Sequence, residues 1–293
     1  MLLTINNLQV CYGSQTALQI NDPIYIEEGE RIGIIGSNGA GKTTLVKAVL
    51  GLTNYKGSIR TSLKPEQMAA HMQFNHYAAT MPVKVIMETI LDTSIRKNTQ
   101  LQELISYFEF EKCLNKRYPH LSGGQKQRFT IIMVMMQNAP LTFYDEVTSG
   151  LDFETRQKLM EKLSNWYKDK ANTLCIVSHY YSELEMLAEK ILILDQGRVI
   201  DMGTKEELFG KYCGRSVFIV DNTDRNHKLL DSYMKLAAPE HLLAVSCPDL
   251  DTERKISELL IRENVNFKRS DNDIEIMSTN AKAVYYEKEG AVK

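Results

Sequence analysis

The segment Gly36-Ser37-Asn38-Gly39-Ala40-Gly41-Lys42-Thr43-Thr44 carries the clearest chemistry in the sequence. Its glycines let the backbone turn tightly enough for successive amides to face one anion. The run Arg31-Ile-Gly-Ile-Ile35 before it reads as a strand and Thr44-Leu-Val-Lys-Ala-Val-Leu50 after it as a helix, whose N-terminus adds partial positive charge. In that setting Lys42 reaches the β- and γ-phosphates of a nucleotide, and Thr43 offers its hydroxyl to Mg²⁺. A ligand-free glycine turn would account for the glycines, but not for the Lys-Thr pair where the helix begins. A second constellation, Leu141-Thr-Phe-Tyr-Asp145-Glu146, sets two acids at the end of an apolar strand. Beside a phosphate loop, Asp145 is placed to hold Mg²⁺ through water, and Glu146 to orient or deprotonate the water that attacks the γ-phosphate.

Such residues need a scaffold that brings strand ends together. Short apolar runs at 31–35, 141–144, 174–177 and 191–194 alternate with helical periods over the first 212 residues. That pattern is α/β: a largely parallel sheet covered on both faces, with ligands at the carboxyl ends of its strands. The remainder reads as a small α+β unit. It holds strand-like Ser216–Val220, a helical segment around Leu229–Leu236, strand-like Leu242–Ser246, a helix over Thr252–Glu263, and Asp273-Ile-Glu-Ile-Met277. The expected division is 1–212, with a helical subdomain at about 74–135, and 213–293, a unit for dimerisation or regulation.

Composition narrows the classes. Hydrophobic residues make up 43% and charged residues 25% of the 293, which excludes a disordered or fibrous chain. A net charge of -2 gives no general reason to expect nucleic acid as a partner. The five cysteines are an odd number without a Cys-x-x-Cys pair, as expected of reduced thiols in the cytoplasm. The most apolar run, Phe129–Met136, is far shorter than the ~20 residues that span a bilayer, and the N-terminus does not read as a signal peptide.

Between the two constellations lies Leu121-Ser122-Gly123-Gly124-Gln125. Ser122 and Gln125 have the spacing of a capping box at a helix start, and the exposed amides of a capped helix also form an anion site. With this motif in this order, the sequence over about 1–212 resembles the ATP-binding subunits of ABC transporters, a P-loop NTPase fold with a helical subdomain. The resemblance implies ATP and Mg²⁺ as ligands, and a dimer of two such subunits in which Ser122, Gly123, Gly124 and Gln125 close over the ATP of the other. It implies that Tyr12 stacks on adenine, that Gln73 senses Mg²⁺ and faces a membrane partner, and that Asp152, in Ser149-Gly-Leu-Asp152, communicates across the dimer. It makes His179 the switch that contacts the γ-phosphate. Read without the resemblance, Tyr12 is a strand-end aromatic and His179 a structural histidine. Gln73 sits in an atypical context, Met72-Gln-Phe-Asn75, with Gln67 nearby, and Val147 replaces the proline usual after the glutamate.

The resemblance further implies ATP hydrolysis coupled to integral membrane permease subunits, and hence a location at the cytoplasmic face of the membrane. A separate ATPase chain with the tail 213–293 looks most like exporters of drugs, peptides or polysaccharides, although importers also carry C-terminal domains. Tyr77, Met81, Pro82, Val83 and Val85 suit either a partner-docking groove or the buried face of the helical subdomain. A soluble ABC ATPase acting on ribosomes or DNA is the other class. A single cassette and the lack of a long heptad stretch weigh against it, and an intact Glu146 and His179 weigh against a silent regulator.

Overall fold

A computed structural model describes residues 1–72 and 77–291. The chain opens with β1 (Leu3–Tyr12), β2 (Gln15–Ile20), β3 (Ile24–Ile26) and β4 (Arg31–Ile35), followed by α1 (Lys42–Val49), β5 (Lys56–Thr61) and β6 (Met68–His71). Next come α2 (Val83–Ile90), α3 (Thr99–Tyr107) and α4 (Gly123–Met135), then β7 (Leu141–Asp145), α5 (Phe153–Tyr167), β8 (Thr173–Val177), α6 (Tyr181–Leu187), β9 (Lys190–Asp195), β10 (Arg198–Thr204) and α7 (Lys205–Cys213). The tail holds β11 (Ser216–Asp221), α8 (Asp224–Leu229), β12 (Lys235–Leu236), β13 (Leu242–Cys247), α9 (Leu250–Arg262), β14 (Lys268–Ser270) and α10 (Ile274–Ala291).

Three sheets form among the described residues. One is antiparallel, with β1 pairing β2, β3 and β5. The second runs β10-β9-β4-β8-β7-β6, parallel except for the edge strand β10. Its strands alternate between two cores with the period of two that a pleated strand imposes. Ile32, Ile34, Phe143, Cys175, Val177, Leu192 and Leu194 pack toward the first sheet and α1. Ile35, Tyr144, Leu174, Ile176, Ile191 and Ile193 pack toward the helices. Every residue of β7 and β8 is buried, so both faces demand apolar side chains, and the run reads as continuously hydrophobic. The strand-end acids and the histidine thus emerge from the best buried strands of the fold.

The third sheet, β12-β13-β11-β14, is antiparallel, and its order with the helices α8 and α9 is the β-α-β-β-α-β arrangement of ferredoxin-like units. Phe218, Val220, Leu243, Val245, Ile256 and Leu260 form its own core. Val217 and Ile219, on the opposite face, join the core of the large sheet together with Ile274, Ile276, Met277 and Ala281 of α10.

One tail expectation changes. The helical segment expected at Leu229–Leu236 instead ends at Leu229, and Lys235–Leu236 is a short strand. Thr223 caps that helix, accepting from the Asn226 amide, so the helix begins earlier than apolar spacing suggests. Asp273-Ile-Glu-Ile-Met277 starts the long helix α10, whose first turn is fixed by the Ile276 amide donating to the Asp273 carboxylate. All five cysteines are free and four are buried, and burial pushes the Cys175 and Cys213 thiols up to about 12, which suits inert packing groups.

Candidate functional site

The phosphate loop leaves β4 at the carboxyl edge of the parallel sheet and enters α1. Gly36 is required by close approach: a Cβ there would stand 2.2 Å from the Leu194 carbonyl oxygen. Gly41, at φ 100°, is in the left-handed region at the helix N-cap, where a side chain is strained. Lys42 is buried at 5% exposure, and its Nζ donates to the carbonyls of Gly36 and Ser37 at 2.8 and 3.0 Å. Burial pulls its pKa below the ordinary lysine value, partly offset by Glu146 and Asp145.

Strands β7 and β8 are neighbours, and β8 borders β4, so the three strand ends converge. Thr43 Oγ1 donates to Asp145 Oδ2 at 2.8 Å. The second oxygen of Asp145, Oδ1, is buried with no hydrogen-bond partner among the described residues. A hydroxyl beside an unsatisfied buried carboxylate fits Mg²⁺, a hard cation that keeps water and phosphate ligands, and does not fit a dedicated metal cage. Consistent with that donor set, no group of three His, Cys, Asp or Glu able to hold a metal occurs among the described residues. Thr43 and Asp145 would hold the ion, which supplies charge neutralisation at the phosphates.

Glu146 adopts φ 50°, and its amide donates to Val177 O at 2.9 Å, pinning the end of β7 to the end of β8. Left-handed backbone at a glutamate is the kind of strain that gathers at functional positions. Its Oε1 lies 2.5 Å from His179 Nε2. Both line a cleft of about 580 Å³ together with Ala17, Asn38, Gly39, Ala40, Gly41, Lys42, Thr43 and Thr44.

Burial raises the Asp145 pKa above the ordinary carboxylate value, and the Thr43 hydroxyl opposes that rise. The folded pKa therefore exceeds the unfolded one. Ionised Asp145 costs stability above the folded value, and the cost disappears as pH falls through that window toward the unfolded value. Asp145→Asn is accordingly expected to raise the melting temperature of the nucleotide-free protein at pH 8 and to lose this advantage on acidification, while weakening the Mg²⁺ dependence of ATP binding. Thermal unfolding against pH, and nucleotide titrations with and without Mg²⁺, check both.

The other expected residues lie apart from this cleft. Tyr12 ends β1 at 49% exposure, an open aromatic face. Ser122 caps α4 and forms the expected capping box with Gln125, at 3.3 and 3.2 Å, leaving Gly123 and Gly124 as the first helical residues. Asp152 caps α5, accepting from the Thr155 amide and hydroxyl, and those bonds hold its pKa down. None of Tyr12, Ser122, Gly123, Gly124, Gln125 and Asp152 lines the phosphate cleft. Gln73 lies outside the described residues. Sequence reasoning also missed a link from β6 through α4 to the loop after β7: buried His71 Nε2 meets Gln127 Oε1 at 2.8 Å, and Gln127 Nε2 donates to Ser149 O.

A second missed group is Glu183. One of its oxygens accepts from Thr148, just after Glu146, and the other from Ser178, just before His179, each at 2.6 Å. This buried carboxylate fixes the spacing of the two loops that carry the acid and the histidine. Its only sequence signal is an acid on the first turn of α6, which capping alone would explain.

Comparison with known proteins agrees with this geometry. A family model described as ABC transporter matches residues 21–149. A methionine import ATP-binding protein of Bartonella henselae is 28% identical over 228 residues, covering 71% of this chain and 66% of that protein. One from Corynebacterium glutamicum is 31% identical, with 66% and 59% covered. The chain thus spans only about two thirds of the length of these relatives. A sulfate/thiosulfate import ATP-binding protein of Bacillus cereus is 27% identical, covering 82% of this chain and 74% of that protein. Among solved structures, the ATP-binding subunit of an ABC transporter superposes with a TM-score of 0.64 at 24% identity, covering 72% of this chain and 93% of that one. A dimeric ATP-binding cassette bound to ADP and Pi gives 0.62 at 23% identity, over 69% and 98%. At these identities the solved structures speak for the fold. Family model, relatives and fold point the same way: the chain is similar to the ATP-binding proteins of ABC transporters, and its fold is that of an ABC-type ATP-binding subunit.

Proposed function

We propose that this chain is the ATP-hydrolysing motor of an importer, working as a dimer with membrane permease subunits from the cytoplasmic face. The observation that carries the hydrolytic part is the gathering of Lys42, Thr43, Glu146 and His179 around one cleft. Lys42 and the amides of residues 36–44 bind the phosphates, Thr43 and Asp145 hold Mg²⁺, Glu146 takes the proton of the attacking water, and His179 contacts the γ-phosphate. Gln73 completes the Mg²⁺-sensing set. Ser122, Gly123, Gly124, Gln125 and Asp152 act on the nucleotide of the second subunit, in keeping with their position away from this chain's own cleft. Tyr12 stacks on adenine.

Import is favoured over the export direction expected from the tail, because the relatives include methionine, sulfate/thiosulfate, spermidine/putrescine and thiamine import ATP-binding proteins. The division into 1–212 and 213–293 is kept as part of the proposal. The shared core between Val217, Ile219, α10 and the large sheet makes the second unit a docked one, not a tethered one.

A docking groove for the permease is supported by α2. Met81 and Val85 are 46% and 40% exposed and Ile90 is 57% exposed, whereas Val83 is buried and Tyr77 packs between Tyr118 and Phe129. Of the five residues named for this region, Met81 and Val85 are therefore exposed, Val83 is buried, and Tyr77 and Pro82 are half-buried. Purification of the Glu146→Gln chain with ATP from its native membrane, in mild detergent, is expected to bring down a permease of several apolar spans, with a solute-binding protein in the same complex. A permease without a binding protein would support export, and ribosomal or DNA-processing proteins without a permease would overturn the transport reading.

A further inference from the structure

Residues Gln196 and Gly197 form the two-residue turn between β9 and β10, both with positive φ, 47° and 77°. This turn braces the phosphate loop from below. The Leu194 carbonyl lies beneath Gly36, the Gly197 amide donates to Ala40 O at 3.2 Å, and Ser37 Oγ donates to Asp195 Oδ1 at 2.9 Å. Asp195 is 7% exposed, and its other oxygen, Oδ2, accepts from the hydroxyl of Tyr286 in α10 at 2.8 Å. A chain of contacts therefore runs from the C-terminal helix through Tyr286, Asp195 and Ser37 to Lys42, whose Nζ donates to the Ser37 carbonyl. The helix is held at the same turn by a second contact, Arg198 Nη1 to both oxygens of Glu289 at 2.5 and 2.6 Å.

We propose that Tyr286 is a positioning residue for the phosphate loop, acting through Asp195 on Ser37, so that docking of the C-terminal helix sets how well the loop is formed for nucleotide. The proposal rests on the reading of residues 36–44 as the ATP phosphate site. Three features support it. Both Asp195 oxygens are occupied, one by the loop and one by the helix, so loss of the phenol leaves a buried carboxylate short of a donor and free to turn from Ser37. Burial and the bond to Asp195 push the Tyr286 phenol up to about 12, so it remains a neutral donor throughout the physiological range. Ser37 uses its side chain for Asp195 and its carbonyl for Lys42, so movement of the first is felt by the second.

The test compares full-length wild type, Tyr286→Phe and Tyr285→Phe by hydrogen exchange of peptides spanning residues 36–44 in the absence of nucleotide. Tyr285 sits beside Tyr286 on the same helix, and its hydroxyl reaches Glu289 at 3.4 Å, not Asp195. Tyr286→Phe is expected to speed exchange in the loop on the order of tenfold, the equilibrium weight of one lost hydrogen bond to a carboxylate, and to raise the KM for ATP with little change in kcat. Tyr285→Phe is expected to leave loop exchange as in wild type. Unchanged exchange in Tyr286→Phe overturns the proposal, as does equal acceleration by both variants, which would mean general loosening of α10. A wild type that fails to bind ATP would sink the phosphate-site reading itself, and the exchange comparison keeps the two failures apart.

Discussion

Glu146→Gln is expected to reduce ATP turnover by about 10²–10⁴-fold, the range for loss of a positioned general base, while still binding ATP and accumulating as an ATP-bound dimer. The reasoning starts from the backbone. The Glu146 amide is fixed to Val177 O and its φ is left-handed, so the side chain leaves the sheet in one direction set by β7 and β8, not by its own rotamer freedom. Glutamine has nearly the same shape and still offers an oxygen toward His179, so binding geometry and fold are retained. What disappears is the capacity to take a proton from water. Because the interaction lost is one made in the transition state, kcat and kcat/KM fall together. Steady-state turnover, nucleotide binding and gel filtration with ATP read the three parts separately. Wild-type turnover in this variant would remove Glu146 from the catalytic role, and loss of ATP binding would mean the substitution had disturbed the loop.

How much of this was legible in the sequence differs by level. The phosphate loop was legible because its demands are local: a strand, glycines where backbone approaches backbone, then Lys-Thr at a helix start, all within one short segment. The Asp145-Glu146 pair was legible because a fully buried strand leaves so few places for an acid that two at its end stand out. The capping box at Ser122–Gln125 followed from spacing alone. Contacts across long sequence separations were not legible. Ser37 and Asp195 are 158 positions apart and Tyr286 and Asp195 are 91 apart, and nothing in local composition marks either pair. Glu183 resembled any acid in the first turn of a helix, and only the fold shows it holding Thr148 and Ser178.

The tail shows the same division. Its strands Ser216–Asp221 and Leu242–Cys247 were legible from β-branched apolar runs, whereas β12 has two residues and carries no period of its own. Pairing with β13 makes it a strand, which is tertiary context overriding a weak local signal. The helical subdomain lies between these cases. Val83 turns inward and Val85 outward because α2 is a surface helix with one buried stripe of Val83, Ile86 and Met87, a distinction that hydrophobicity alone does not draw.

Lys42→Ala is expected to weaken ATP binding by about 10- to 100-fold, the weight of charge-assisted hydrogen bonds to phosphate, and to abolish measurable turnover at ATP concentrations that saturate the wild type. The side chain is almost wholly buried, and its ammonium closes the loop onto the carbonyls of Gly36 and Ser37. Two effects therefore act in the same direction. The phosphates lose their nearest cation, and two loop carbonyls lose their donor, so the loop that presents the amides is less well formed before nucleotide arrives. Lys42→Arg separates them. It keeps the charge, but its planar head is too large for a group at 5% exposure between two carbonyls, so binding is expected to fall with the charge intact. Removing the ammonium also removes a buried charge whose pKa is already depressed by desolvation, so the nucleotide-free Lys42→Ala protein need not be less stable than wild type. A drop in ATP affinity without a drop in melting temperature is thus the signature of a site built for phosphate, whereas unchanged affinity would refute the assignment of residues 36–44.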